Sequence, residues 1–231
     1  TDCPVTTVEP NRRADMNRKL IAEFLGTMFL LIGVVGSGIM GDKLSDGNVA
    51  VALLANSITT GAILYVLITL LAPISGAHFN PAVTLAMVLR KDCALPFAAA
   101  FIAVQIAGGV IGVWLTHLMF DLTVFQTSTT TRSGNAQWVS EVIATFGLLL
   151  VIMGGIRFKP DAIPALVGLY ITGAYWFTAS TSFANPAVTI ARSLSNTFAG
   201  INPGDALMFI VMQIIGAGLA VGVASFLFSK D

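Results

Sequence analysis

The sequence predicts an all-α membrane protein: six membrane-spanning helices plus two re-entrant half-helices, built as an inverted repeat. Three observations carry this. The 231 residues are 55% hydrophobic and only 10% charged, with a mean hydropathy of +0.84. A soluble domain carries about 25% charged residues, so this chain lacks the polar surface to cover a water-facing globule. Six apolar stretches, 18–40, 49–72, 95–119, 137–157, 162–180 and 204–228, approach or exceed the length that crosses a bilayer; about 20 apolar residues are needed. Finally, the pentapeptide Asn-Pro-Ala-Val-Thr occurs twice, at 80–84 and 185–189.

The chain opens on a polar stretch, expected to be a tail over 1–17 ahead of one channel domain over 18–231. The first apolar run flows on without a small-residue cleavage site and reads as a retained anchor. The spans are rich in small residues, as packed membrane helices are. Gly108, Gly109 and Gly112, and Gly216, Gly218 and Gly222, are expected to let backbones approach. Loop charge sets orientation. Nine of the twelve Lys and Arg (Arg12, Arg13, Arg18, Lys19, Arg90, Lys91, Arg157, Lys159, Lys230) fall on one side if both termini are cytoplasmic, leaving Lys43, Arg132 and Arg192 outside. Net charge is zero, so no nucleic-acid partner is expected. Cys3 and Cys93 fall on the reducing side, where a disulfide is not expected, and no metal-ligand spacing occurs.

The two halves repeat. Glu23 matches Glu141, Asn80 matches Asn185, and Gln105 matches Gln213, over repeats at about 18–119 and 137–228. Each half holds three spans, and an odd number sends the second half in from the opposite face. Only about ten residues separate Asn80 from Arg90, roughly 15 Å of helix, so each motif segment is half a span. Irregular backbone at that depth is viable only where it lines a wet cavity. Two half-helices, one from each face, therefore meet and line one pore.

Asn-Pro-Ala suits a helix start: Asn80 and Asn185 as caps, Pro81 and Pro186 in the first turn, Ala82 and Ala187 behind them. With each Asn oxygen capping its own helix, its amide NH2 is expected to face the lumen. The two N-termini, each about half a positive charge, then oppose cations. A passing water orients its oxygen to both amides, which breaks a proton relay. Glu23 and Glu141 are intramembrane acids, read either as proton-coupling groups or as braces for the re-entrant backbone, the symmetric placement favouring the brace. His78 approaches the pore from the cytoplasmic side and is a candidate for pH gating. His117, near a helix end, reads as an ordinary interfacial residue.

On SGAHFNPAVT at 75–84 and NPAVT at 185–189, with Glu23, Glu141, Gln105 and Gln213, the chain resembles the aquaporin and aquaglyceroporin family, the major intrinsic proteins, over residues 18–228. The resemblance implies the aquaporin fold, a homotetramer in the inner or plasma membrane, one pore per subunit, no cofactor and no enzyme activity. It also implies a filter at Thr60, Gly173 (or its neighbour Thr172), Ser182 and Val188. Water-selective members carry Arg after the second motif; here Val188 stands there. Small residues at Thr60 and Gly173 imply a wide, uncharged filter, unless Tyr175 or Phe183 refills it. Arg192, four residues on, is expected in the outer vestibule, either leaning back towards the filter or pairing with Asp121 or water. The run NPAVTIARSLSNTFAGI resembles a bacterial subgroup associated with arsenic resistance. The implied solutes are water, glycerol-size molecules and metalloid hydroxides such as arsenite; a water-selective pore and a secondary transporter are the alternatives.

Overall fold

The computed structural model describes residues 12–229. Cys3, most of the expected tail and Lys230 lie outside the described residues. Eight α-helices follow in order: α1 (Arg12–Leu44), α2 (Val49–Ser75), α3 (Pro81–Leu89), α4 (Leu95–Met119), α5 (Asn135–Phe158), α6 (Ile163–Phe177), α7 (Pro186–Arg192) and α8 (Pro203–Leu227). The first helix starts at Arg12, inside the stretch expected to be tail. Helical hydrogen bonding continues into polar sequence wherever no breaker stops it, whereas the apolar run only marks where lipid begins.

Among the described residues, five helices are long and apolar enough to cross a membrane. The expected span at 162–180 is shorter: α6 has 15 residues, about 22 Å, preceded by a 3-10 turn at Pro160–Ala162. Two half-helices complete the set, α3 with nine residues and α7 with seven. Large apolar side chains such as Leu70, Leu169, Leu207 and Phe226 are exposed on the outside, which suits hydrocarbon as solvent.

The halves pack alike. α1 lies on α4 and α5 on α8. At the first crossing a Cβ on Gly108 would collide with the Phe24 carbonyl; at the second, a Cβ on Gly216 would collide with that of Val142. Phe24 and Val142 each follow a paired glutamate. α2 and α6 cross where Gly61 and Gly168 face each other's carbonyls. Small-residue contact lets these backbones touch where lipid supplies no hydrophobic drive. Gly218 and Gly222, expected to share in this, have nothing within 4 Å of a Cβ and take no part in packing within the chain.

Candidate functional site: a cross-bonded pair of half-helices

The residue before each motif Asn is left-handed without being glycine: Phe79 has φ 48° and Ala184 φ 46°. So is the residue three before it, Ala77 at 51° and Ser182 at 53°. Each such position costs on the order of 1–3 kcal/mol and persists only where its surroundings hold it. Glu23 is the holder in the first half. Its carboxylate accepts from Phe79 N (2.7 Å), His78 N (3.0 Å), Ser75 Oγ (2.6 Å) and Gln105 Nε2 (2.8 Å). Glu141 accepts from Ala184 N (2.9 Å), Phe183 N (2.9 Å) and Gln213 Nε2 (2.6 Å). Both acids are fully buried.

The strained residues turn their carbonyls across the repeat. Asn80 Nδ2 donates to Ala184 O at 2.8 Å and Asn185 Nδ2 donates to Phe79 O at 2.8 Å. Each Asn Oδ1 caps its own helix, Asn80 at Ala82 N (2.9 Å) and Asn185 at Ala187 N (2.9 Å) and Val188 N (3.2 Å). The amides are thus only half free. One N–H of each locks the two loops together, and one is left for the cavity both line. The repeated threonine has a part as well. Thr84 and Thr189 donate back to the Asn80 and Asn185 carbonyls and accept from Gln105 and Gln213.

The cavity has a volume of about 610 Å³. Its outer end, as named here, is the end at Thr60 and Arg192. There Thr60 Oγ1 and Tyr175 Oη are 3.1 Å apart, and Ser182 Oγ is buried with no protein partner among the described residues. Val188 and Phe183 supply apolar surface. Arg192 lines this end while only 1% exposed. Its Cζ lies 3.4 Å from the Phe183 ring centroid, its Nε donates to the Ala199 carbonyl, and its terminal nitrogens have no protein acceptor among the described residues. Arg132 stacks on Phe183 too, at 5.1 Å, and donates to Gly200 O at 2.8 Å. The inner end is lined by Ile68, Ala72, His78, Met87, Ile156 and Asp161. Thr84 already gives its one hydroxyl proton to Asn80 O, so the 3.1 Å contact to His78 Nδ1 requires that nitrogen to donate. The neutral ring then offers Nε2 as acceptor.

Four expectations are corrected. Gly173 is exposed on the outside of α6 and does not line the cavity; two residues along a helix is a rotation of about 200°, and Tyr175 holds the lumenal position. The cavity end at Val188, expected to be uncharged, also carries the Arg192 guanidinium. Asp121 makes no ion pair with Arg192 among the described residues. His117 is buried, not interfacial, bonding Val124 O at 2.7 Å and Ser195 Oγ at 2.9 Å. Sequence reasoning passed over Arg132, Thr84 and Thr189, although the threonines were in plain view within the repeated motif. Cys93 lies between α3 and α4, where burial and then the Glu23 carboxylate push its thiol up and keep it protonated.

Comparison with known proteins agrees with this geometry. The family description "Major intrinsic protein" matches residues 11–172. The chain is 54% identical over 218 residues to aquaglyceroporin AqpS of Rhizobium meliloti (strain 1021), covering 92% of this chain and 91% of that one. It is 31% identical over 224 residues to aquaporin-5 of Rattus norvegicus, covering 88% and 78%. The crystal structure of the aquaglyceroporin from Plasmodium falciparum superimposes with a TM-score of 0.74 at 20% identity, over 92% of this chain and 96% of that one, a likeness of fold. The chain therefore belongs to the major intrinsic protein family, the aquaporins, integral membrane channels for water and small solutes.

Proposed function

We propose that this channel passes glycerol-size neutral hydroxyl compounds, arsenite as As(OH)3 among them, together with water, down their gradients. The supporting observation is the mixed lining of the outer end: Thr60, Tyr175, the unpartnered Ser182 Oγ and Arg192 offer hydroxyl and guanidinium groups beside the apolar Phe183 and Val188. A solute with hydroxyls along one edge exchanges its hydration for these groups at low cost. Cations gain nothing comparable, because a buried guanidinium and two helix N-termini oppose them. The carboxylates of Glu23 and Glu141 are engaged as acceptors by the re-entrant backbone and a glutamine each, a brace that favours a fixed pore over a transport cycle. The unit is a single channel domain of two inverted repeats, with both termini cytoplasmic in the plasma membrane, assembled as a homotetramer.

A water-selective reading has its own support: Tyr175 and Phe183 occupy space that Gly173 was expected to open. Stopped-flow light scattering on proteoliposomes under water, glycerol and arsenite gradients separates the two. Glycerol and arsenite flux well above empty liposomes, linear in gradient and indifferent to ionophores, supports the wider pore; flux of water alone supports the narrow one. Val188→Arg adds a second guanidinium beside Arg192 and is expected to cut glycerol and arsenite flux at least tenfold while water flow persists. Equal loss of both contradicts this filter assignment.

A further inference from the structure

A second cavity, outside the pore, lies where the ends of α3, α5 and α8 converge. Its volume is about 400 Å³, and it is lined by Met153, Ile156, Ala224, Ser225 and Phe228 together with Arg90 and Arg157. The two arginines come from segments 67 residues apart. Arg90 gives its Nε to Asp92 Oδ2 at 2.8 Å; its terminal nitrogens have no partner among the described residues. Arg157 is exposed, its Cζ lies 5.5 Å from the Phe158 ring centroid, and no carboxylate is within 4 Å of its nitrogens among the described residues. Phe228, part of the cavity wall, meets Phe158 edge to face at 5.6 Å at the ends of membrane-crossing helices.

We propose that this cavity binds the phosphate of an anionic phospholipid, its acyl chains running down the outside of α5 and α8. A free anion would need the arginines alone. A lipid also uses the apolar walls, and the arginines lie where headgroups must be. Two guanidiniums facing one phosphate form charge-assisted bonds, and basic pockets between membrane helices on one face take anionic headgroups. The site adjoins the pore: Ile156 lines both cavities, so the headgroup lies one side chain from the inner mouth. The inference does not depend on which solute passes.

Native mass spectrometry of the detergent-solubilised protein with phosphatidylglycerol or phosphatidylcholine tests it. Phosphatidylglycerol is expected to be retained preferentially, by about fivefold per arginine. Arg157→Gln reduces this preference and the Arg90→Gln/Arg157→Gln pair abolishes it, while the Arg90→Lys/Arg157→Lys pair keeps most of it. Asp92→Asn, which releases Arg90, increases retention without touching the cavity. Equal retention of the two lipids, or a glutamine pair that binds as the wild type does, overturns the proposal. Displacement of phosphatidylglycerol by millimolar inorganic phosphate also overturns it, since the site would then be one for free phosphate.

Discussion

The inner and outer halves of the pore come from the same repeat, yet their side chains differ where solute passes. The scaffolding is shared almost contact for contact: a glutamate under each loop, a left-handed residue before each Asn, a threonine four residues after it and a glutamine above. Even the aromatic contact two residues before each Asn is kept, His78 on Phe101 at 5.6 Å and Phe183 on Phe209 at 5.1 Å, both edge to face. The lumenal positions diverge. Seven residues after Asn185 stands Arg192; seven after Asn80 stands Met87. From the Gly61–Gly168 crossing, Thr60 matches Val167 and Tyr175 matches Ile68. Backbone strain thus dictates the repeated residues, while the matched lumenal positions diverge: hydroxyls and a guanidinium at Thr60, Tyr175 and Arg192, apolar side chains at Val167, Ile68 and Met87. On the proposed function, the outer half discriminates and the inner half conducts.

The largest expected effect removes what the halves share. Glu23→Gln or Glu141→Gln turns an NH2 towards backbone N–H groups that need an acceptor. Each charge-assisted bond is worth about 1.5–3 kcal/mol, so both variants lose thermal stability in detergent and most solute flux. The loss is larger for Glu23, which accepts from four donors against three. Equal losses would mean that the extra Ser75 contact is idle.

Next is the junction. Replacing both Asn80 and Asn185 by Asp puts two carboxylates between the helix ends and removes both cross-repeat N–H donors. Cation leak measured with a potential-sensitive dye is expected to rise at least tenfold; unchanged ion exclusion would place the whole barrier elsewhere. A smaller effect sharpens the contrast at the constriction. Tyr175→Phe deletes the hydroxyl facing Thr60, worth about 1 kcal/mol, and glycerol flux is expected to change up to fivefold with water flow within twofold. An Ile68→Val change at the matched inner position leaves both within twofold.

The shared part was legible in the sequence because it is chemically expensive. Buried acids, Asn-Pro helix starts and 20-residue apolar runs are rare enough to be read one by one. The divergent part was not. Counting through α6 failed because an error of two residues crosses to the opposite face, which exchanges Gly173 for Tyr175. The half-used amides were hidden because the carbonyls they meet depend on left-handed backbone at Phe79 and Ala184, residues that give no glycine signal. Arg192 looked like a vestibule residue because its acceptor, the Ala199 carbonyl, is returned by the loop after α7, and Arg132 arrives from a loop some 50 residues before Phe183.

Proton leak through proteoliposomes containing Arg192→Gln, set beside Met87→Gln at the matched inner position, tests the division of labour most directly. A cation over a desolvated ring is worth about 2 kcal/mol, so Arg192 is well fixed in place. Its loss should raise proton leak at least tenfold while glycerol still passes, with Met87→Gln within twofold of the wild type. Equal leak in the two variants, or none in either, would contradict an outer half that discriminates and an inner half that only conducts.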